Sequence, residues 1–405
     1  MQTMRTKTIF FLVDGIADFP TSNSPLRVSQ KPFLNYLIKN KKAFLTYIFP
    51  LEKKYWPKYG EFSVSGLANL GILGYKIKPD IFKRGPYEAL GSGIKYKNGW
   101  LAFRINFASV DSNLKVIDRR IGRNTYGLEI LERDINKIKF KTPFIFKRTI
   151  GHRGVLIFKD SLSDKITFND PLGNGKKVKK IKPLSNNKLA FKTAEILNNF
   201  LLKVYELLKD HPINKKRIQK NILPANYILL REGGVKVLKL KNFFQRFKFK
   251  NGVVLSALGV DLGTSISVGF KKYVLPESNT INDEFKNILL ALNKVMNKYE
   301  LIYVHVKKAD EAAHDKNFQK KKEFFEKFDA FLAKIYNDKI KYAITGDHIT
   351  SVKTGKHAFG PVPLLIVNSF LVNNPQEFSE KEAIKMGKFF AFNAQIWKFL
   401  KNDRP

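Results

Sequence analysis

Three short apolar runs in this chain each end on acidic or histidine residues, and that pattern constrains the fold more than any other feature. Ile9–Val13 runs into Asp14-Gly15, Leu301–Val306 into Asp310-Glu311-Ala312-Ala313-His314, and Tyr342–Thr345 into Gly346-Asp347-His348. Lys356-His357 follows soon after His348. Each run is short and rich in β-branched or aromatic residues, so it reads as a strand buried on both faces. In open α/β sheets, ligands bind beyond the carboxyl ends of the strands. All three polar clusters stand at such ends, so they read as one metal site gathered from distant parts of the chain.

The residue types suit that reading. Asp310 and His314 are spaced i, i+4, which puts both on one face of a helical turn. Asp347 and His348 are adjacent, so their side chains are expected to point in different directions and serve two ions. Asp and neutral His suit Mn, Zn, Co or Fe, with Mg possible where carboxylates dominate. Taken singly, each cluster has a plainer explanation: an Asp after a strand is often a helix N-cap, and a lone His is often a satisfied structural residue. Their coincidence at strand ends favours the metal.

The chain has 405 residues, which suggests about two or three domains. No apolar run approaches the roughly 18 residues of a membrane span. Met1–Val13 lacks a small-residue cleavage site, so no signal peptide is read and a cytoplasmic location is expected. Cysteine is absent, which excludes disulfides, thiolate metal sites and cysteine nucleophiles. The net charge of +38 attracts polyanions and suits a small anionic substrate. It also matches the Lys, Asn, Phe, Ile and Tyr enrichment of AT-rich codons. Runs such as Lys176–Lys180 and Lys320-Lys321-Lys322 read as solvated lysine. No nucleic-acid motif accompanies the charge.

Strand–helix rhythm covers residues 1 to about 90 and returns from about 252. Lys31–Lys39, Ser65–Leu73 and the Phe324, Phe328, Phe331, Ile335 stripe read as helices, and Leu364–Val367 as a further strand. Between them the texture changes: Leu101–Phe107 and Gly154–Phe158 read as strands, and Lys192–Lys209 as an amphipathic helix. One α/β domain in two segments, 1–92 and 252–405, is therefore expected, with a second domain, 93–251, inserted.

Ser65 opens a Gly-rich helix start, where backbone N–H groups can hold a phosphoryl oxygen. Alone it reads as an N-cap; beside a metal it becomes a candidate nucleophile. Arg104, and Arg119, Arg120 and Arg123 beside Asp118, offer two-pronged recognition of carboxylate or phosphate. Arg153, Arg231 and Lys307 are further candidates.

These residues carry a resemblance. VDGIADFP (13–20), SPLRVSQKPFLNYL (24–37), FRINFASVD…VIDRRIGR (103–123), HVKKADEAAHD (305–315) and GDHITSVKTGKHAFGPVPLLIV (346–367) occur in family order. The chain resembles the archaeal type of cofactor-independent phosphoglycerate mutase, a branch of the alkaline phosphatase superfamily. The resemblance implies an alkaline-phosphatase-like, mostly parallel sheet flanked by helices, with an inserted α+β domain. It implies two divalent ions (Mn, Mg, Co or Zn) and no 2,3-bisphosphoglycerate. Asp310, His314 and His357 would hold one ion; Asp14, Ser65, Asp347 and His348 the other. Ser65 would take the phosphoryl group and return it to the other hydroxyl of glycerate. The inserted domain's arginines would grip the small anionic substrate, and closure would keep water out. No membrane and no specific nucleic acid are expected as partners.

The sequence departs from the family pattern near the nucleophile. Gly66 stands where an acidic residue is usual, and Asn69 where a His is usual. Asp18-Phe19-Pro20 lacks the usual Arg, and the PFLN piece lacks the usual Asn and Asp. A shift of two in register would make Ser63 the nucleophile. A metal-dependent phosphohydrolase or another phosphotransferase using the same site is the alternative activity.

Overall fold

The structure is a computed structural model that describes residues 7–56 and 64–402. It divides into two compact units. The first contains residues 1–81, 240–257 and 264–405, and the second 82–239 and 258–263.

The first unit is built on a seven-stranded sheet. Its strands run in the order Ala43–Ile48, Val362–Val367, Ile340–Thr345, Lys7–Val13, Leu301–Val306, Gly252–Ser256, Lys271–Val274. Lys7–Val13 is central and parallel to both neighbours, and the Gly252–Ser256 and Lys271–Val274 strands continue that direction. Val362–Val367 and Ala43–Ile48 close one side antiparallel. The sheet is therefore mostly parallel, as expected, and its central strands are buried along nearly their whole length. Ala43–Ile48 is an edge strand between the helices expected at Lys31–Lys39 and Ser65–Leu73. Its exposed edge is partly covered by Asn373, whose side chain pairs with both the N–H and the C=O of Leu45, at 2.8 and 2.7 Å. An amide side chain thus stands in for the neighbouring strand.

Helix Phe318–Ile335 turns its Phe324, Phe325, Phe328 and Phe331 stripe inward. Lys321 lies on that same stripe and is fully buried, which corrects the reading of Lys320–Lys322 as solvated. Its Nζ donates to the carbonyls of Ala17 and Thr350 at 3.1 and 2.8 Å and lies 3.6 Å from Asp18 Oδ2, and these partners offset the burial of its charge.

The second unit has a five-stranded antiparallel sheet in which Trp100–Val110 pairs with Val116–Asp118, Arg153–Ser161 and Tyr227–Gly234, and Phe144–Arg148 joins the edge. Helices Leu128–Ile135 and Lys188–Lys209 cover it, and Leu131, Leu197, Phe200 and Val204 reach its core. The division falls at 81/82 and 239/240, whereas the sequence reading placed it at 92/93 and 251/252. The reason is helix Arg84–Gly91, which packs on Trp100–Val110 and Tyr227–Gly234. At Gly85 a Cβ would come within 2.0 Å of the Ala102 carbonyl, so only glycine permits that approach. Among the described residues, no helix is long and apolar enough to cross a membrane.

Candidate active site

Three neighbouring strands position the first cluster. Lys7–Val13 lies between Leu301–Val306 and Ile340–Thr345, all parallel, so their carboxyl ends stand side by side. Asp14, Lys307 and Gly346-Asp347-His348 leave the sheet at that rim. Gly15 turns the chain there with φ 67°, and a Cβ on it would lie 2.8 Å from the Asp310 Cα. That close approach brings helix Lys308–His314 against the Asp14 turn.

The two ends of the helical pair meet one partner. Asp310 Oδ2 lies 3.4 Å from His314 Nε2, and Asp310 Oδ1 lies 3.4 Å from His357 Nε2. His348 Nε2 lies 3.5 Å from Asp14 Oδ1 and 3.0 Å from Asp347 Oδ2. Asp347 and His348 therefore converge, contrary to the expectation that adjacency sends them apart. They sit in a bend beyond the strand, where the alternation of an extended chain no longer applies. Potential ligand atoms of Asp14, Asp347 and His348 lie within 4.8 Å of one another, as do those of Asp310, His348 and His357. His348 belongs to both groups, and its ring stacks on His357 at 3.8 Å between centroids. The expected division into two separate ligand sets is thus joined through His348.

This donor set fits a divalent cation. His314 Nδ1 lies 2.8 Å from the Gly355 carbonyl, to which it can only donate, so the Nε2 lone pair is left facing Asp310. Asp14 is 1% exposed, and among the described residues its Oδ1 accepts no hydrogen bond. A buried carboxylate oxygen without a donor is costly unless a cation meets it. The electrostatics agree. Burial opposes ionisation of Asp310, yet His314, His357 and His348 hold its carboxyl well below the usual range. Burial pulls His348 down, but Asp347, Asp14 and Asp310 outweigh it and push His348 up to about 9. The same anionic field attracts a metal, with a proton as its competitor. His357 is pushed down to about 4 by burial and by His348.

Ser65 is the first residue of helix Ser65–Ile72; the N-cap position belongs to Val64, and no side-chain cap bond forms. The N-cap reading of Ser65 is therefore replaced by a different contact: Ser65 Oγ lies 3.4 Å from His348 Nε2. Ser63 lies outside the described residues. One turn along, Asn69 is fully buried. It donates to Thr264 Oγ1 at 2.8 Å and accepts from the Tyr303 hydroxyl at 2.6 Å, which pins the helix to the sheet. Lys307 Nζ lies 3.3 Å from Asp14 Oδ2, and His305 Nε2 lies 3.8 Å from the same oxygen.

The second unit holds the basic cluster. Arg104, on strand Trp100–Val110, is 8% exposed, and its Nε has no hydrogen-bond partner among the described residues. Burial and the nearby Arg84, Arg153 and Arg231 pull its pKa well below the usual value. Desolvation and then Arg123, Arg153 and Arg119 lower Arg120 as well, although that residue is exposed. Such like-charge crowding calls for an anion. Arg119 is already committed: its Nε donates to Asp170 at 2.9 Å, in a two-pronged pair with that fully buried carboxylate. Arg231 Nε stands 3.6 Å from the same group. Asp118 shapes the turn, accepting from the N–H groups of Arg120 and Gly122 at 2.7 and 3.0 Å. Ile121 and Arg123 in that turn have φ of 50° and 56°, a left-handed conformation costly for a β-branched residue.

Lys321, expected to be solvated, and Thr350, with no expected role, both lie at this site. Lys321 had a readable signal, because it stands at helical spacing from Phe324, Phe325 and Phe328. Thr350 had none, since one Thr in a strand is ordinary.

A family described as 2,3-bisphosphoglycerate-independent phosphoglycerate mutase matches residues 59–214. A Methanocaldococcus jannaschii protein named 2,3-bisphosphoglycerate-independent phosphoglycerate mutase 1 is 35% identical, over 97% of this chain and 96% of its own length. Its namesake from Archaeoglobus fulgidus is 34% identical, over 94% and 93%. Among solved structures, the cofactor-independent phosphoglycerate mutase of Thermoplasma acidophilum superposes with a TM-score of 0.57 at 25% identity, over 97% of this chain and 98% of its own. A Pyrococcus horikoshii protein gives 0.74 at 24% identity, over 100% and 99%, and speaks to the fold alone.

Proposed function

Since the chain belongs to the family of 2,3-bisphosphoglycerate-independent phosphoglycerate mutases, we propose that it interconverts 3-phosphoglycerate and 2-phosphoglycerate through a phosphoserine formed on Ser65. The enzyme class is isomerase, and the family's chemistry uses divalent metal and no bisphosphoglycerate. The observation that carries the finer reading is the convergence of Ser65, Asp14, Asp347 and His348 at one sheet rim.

In this reading, Asp14, Ser65, Asp347 and His348 would hold one ion, and Asp310, His314 and His357 would hold another. Bound there, divalent ions lower the pKa of the Ser65 hydroxyl and offset charge on phosphoryl oxygens. The Ser65 hydroxyl gives up its proton as Oγ attacks phosphorus, and the bond from phosphorus to the glycerate oxygen breaks. That oxygen takes up a proton. The other glycerate hydroxyl then loses a proton and attacks the phosphoserine, which releases the isomer and restores Ser65. The first N–H groups of helix Ser65–Ile72 add positive potential at the phosphoryl group. Lys307 balances Asp14. Arg104, Arg120, Arg123, Arg153 and Arg231 bind the carboxylate and phosphate of the substrate, with Arg119 and Asp118 holding that basic turn in shape.

An enolase-coupled assay with 3-phosphoglycerate tests this, with Mn, Mg, Co or Zn added in turn. Metal-dependent formation of 2-phosphoglycerate is expected, together with its loss in Ser65→Ala. Unchanged turnover in Ser65→Ala removes the nucleophile assignment. Inorganic phosphate in place of 2-phosphoglycerate makes the enzyme a phosphohydrolase.

A further inference from the structure

We propose that Thr350 is a positioning residue whose single hydroxyl locks His348 and Asp310 into their ligand geometry and so couples the two metal sites. The proposal rests on the reading that these residues hold divalent ions.

Thr350 Oγ1 donates to Asp310 Oδ1 at 2.8 Å, and His348 Nδ1 lies 3.0 Å from Thr350 Oγ1. A hydroxyl has one proton to give. The Asp310 carboxylate can only accept, so that proton goes to Asp310. The His348 contact must then run the other way, with Nδ1–H donating to Oγ1. This fixes the orientation of the imidazole and leaves Nε2 facing Asp14, Asp347 and Ser65, where a bound ion would take the place of its proton. The chain His348 Nδ1–H to Thr350 O–H to Asp310 ties a residue of one ligand group to a residue of the other.

The backbone of Thr350 reaches the third ligand. Strand Ile349–Ser351 pairs with Lys356–Ala358, and Thr350 stands directly opposite His357. Thr350 N donates to the Ala17 carbonyl at 3.0 Å, and its own carbonyl accepts from Lys321 Nζ at 2.8 Å. The residue is fully buried. None of these backbone bonds uses the hydroxyl, so the strand keeps its place when the hydroxyl is removed. A β-branched side chain in a strand has few χ1 choices, so the hydroxyl is aimed rather than free to turn. Thr350→Val keeps that shape and deletes only the hydrogen bonds; Thr350→Ser keeps the hydroxyl but frees the rotor.

The test is Mn2+ titration of chelator-stripped full-length protein by calorimetry, with melting curves in chelator. Wild-type protein should bind two ions per chain. Thr350→Val should weaken binding at both sites by about 10–100-fold, as loss of a ligand's outer partner does. Thr350→Ser should recover most of that loss. A fluorescence or circular-dichroism melt in chelator should show Thr350→Val folded; if it is unfolded, the comparison passes to Thr350→Ala against Thr350→Ser. Equal Mn2+ affinity in wild type and the hydroxyl-free variant overturns the proposal, as does a Ser variant no better than that variant. Failure of the wild-type protein to bind Mn2+ would instead remove the metal reading itself. Loss at one site only would disprove the coupling.

Discussion

His314 and His357 aim their Nε2 atoms at each other across 3.1 Å, and Asp310 stands 3.4 Å from each. Since Gly355 takes the Nδ1 proton of His314, the His314 Nε2 offers a lone pair. Without metal, His357 must turn an Nε2–H toward that lone pair or toward Asp310, whereas a bound cation would draw both nitrogens and the carboxylate together. Stripping metal should therefore destabilise the protein. At an ion concentration of about 100 times Kd, loading should add ~2.7 kcal/mol to stability. Melting temperatures with Mn2+ and with chelator check this, and His357→Ala should lose most of the difference.

The Tyr303–Asn69 bond gives the second expectation. The 2.6 Å contact is fully buried and anchors the helix that carries Ser65. Tyr303→Phe should cost about 1–3 kcal/mol of stability, because the Asn69 oxygen loses its donor. With Ser65 at the other end of the helix untouched, kcat at saturating substrate should stay within a few-fold. Urea unfolding and turnover together check it; a large fall in kcat without loss of stability would give Asn69 a catalytic part.

Arg104 and Arg119 should respond in opposite ways. Arg104 is buried among other arginines, so Arg104→Met relieves repulsion in the free protein. Its melting temperature without substrate should hold or rise. The KM for 3-phosphoglycerate should increase about 10–100-fold, the value of one charged hydrogen bond. Arg119→Ala strands the buried Asp170 carboxylate and should cost about 3–5 kcal/mol. Arg231 at 3.6 Å can soften that loss. A destabilised Arg104→Met would contradict the crowding argument.

A pH dependence follows from Glu284, which accepts from the N–H groups of Lys307 and Lys308 at 2.8 and 3.1 Å. Burial pushes its carboxyl from 4.5 up to about 7. The folded state then holds the proton more tightly than the unfolded state. The resulting contribution to stability is full below about pH 4.5, falls as pH rises toward 7, and is absent above it. Relative to Glu284→Gln, the wild-type protein should lose up to about 3 kcal/mol between pH 4.5 and 8. Urea midpoints of both proteins at the two pH values decide it, and a pH-independent difference would sink the assignment.

Much of the site was legible because strand ends announce themselves locally. An apolar run that stops on Asp14, on Lys307 through His314, or on Asp347-His348 carries both the strand and the polar end in adjacent residues, and the i, i+4 spacing of Asp310 and His314 survives unchanged in the helix. Ser65 at a helix start was equally local. Strand Ala43–Ile48 carries the same aromatic and β-branched pattern but no acidic or histidine end, so nothing local tied it to the site.

Sequence alone determined which residues could be ligands, nucleophile and anion binders, since these depend on chemical type and short-range spacing. Tertiary structure decided which of them meet. The order of Leu301–Val306, Lys7–Val13 and Ile340–Thr345 in the sheet is a pairing choice made between segments hundreds of residues apart. Only that choice sets Asp14 beside Asp347, joins both ligand groups at His348, buries Lys321 beneath them, and gives the ordinary Thr350 hydroxyl two partners. Hydrogen-bond direction and burial exist only once the strands have paired, so no local pattern in the chain could carry them.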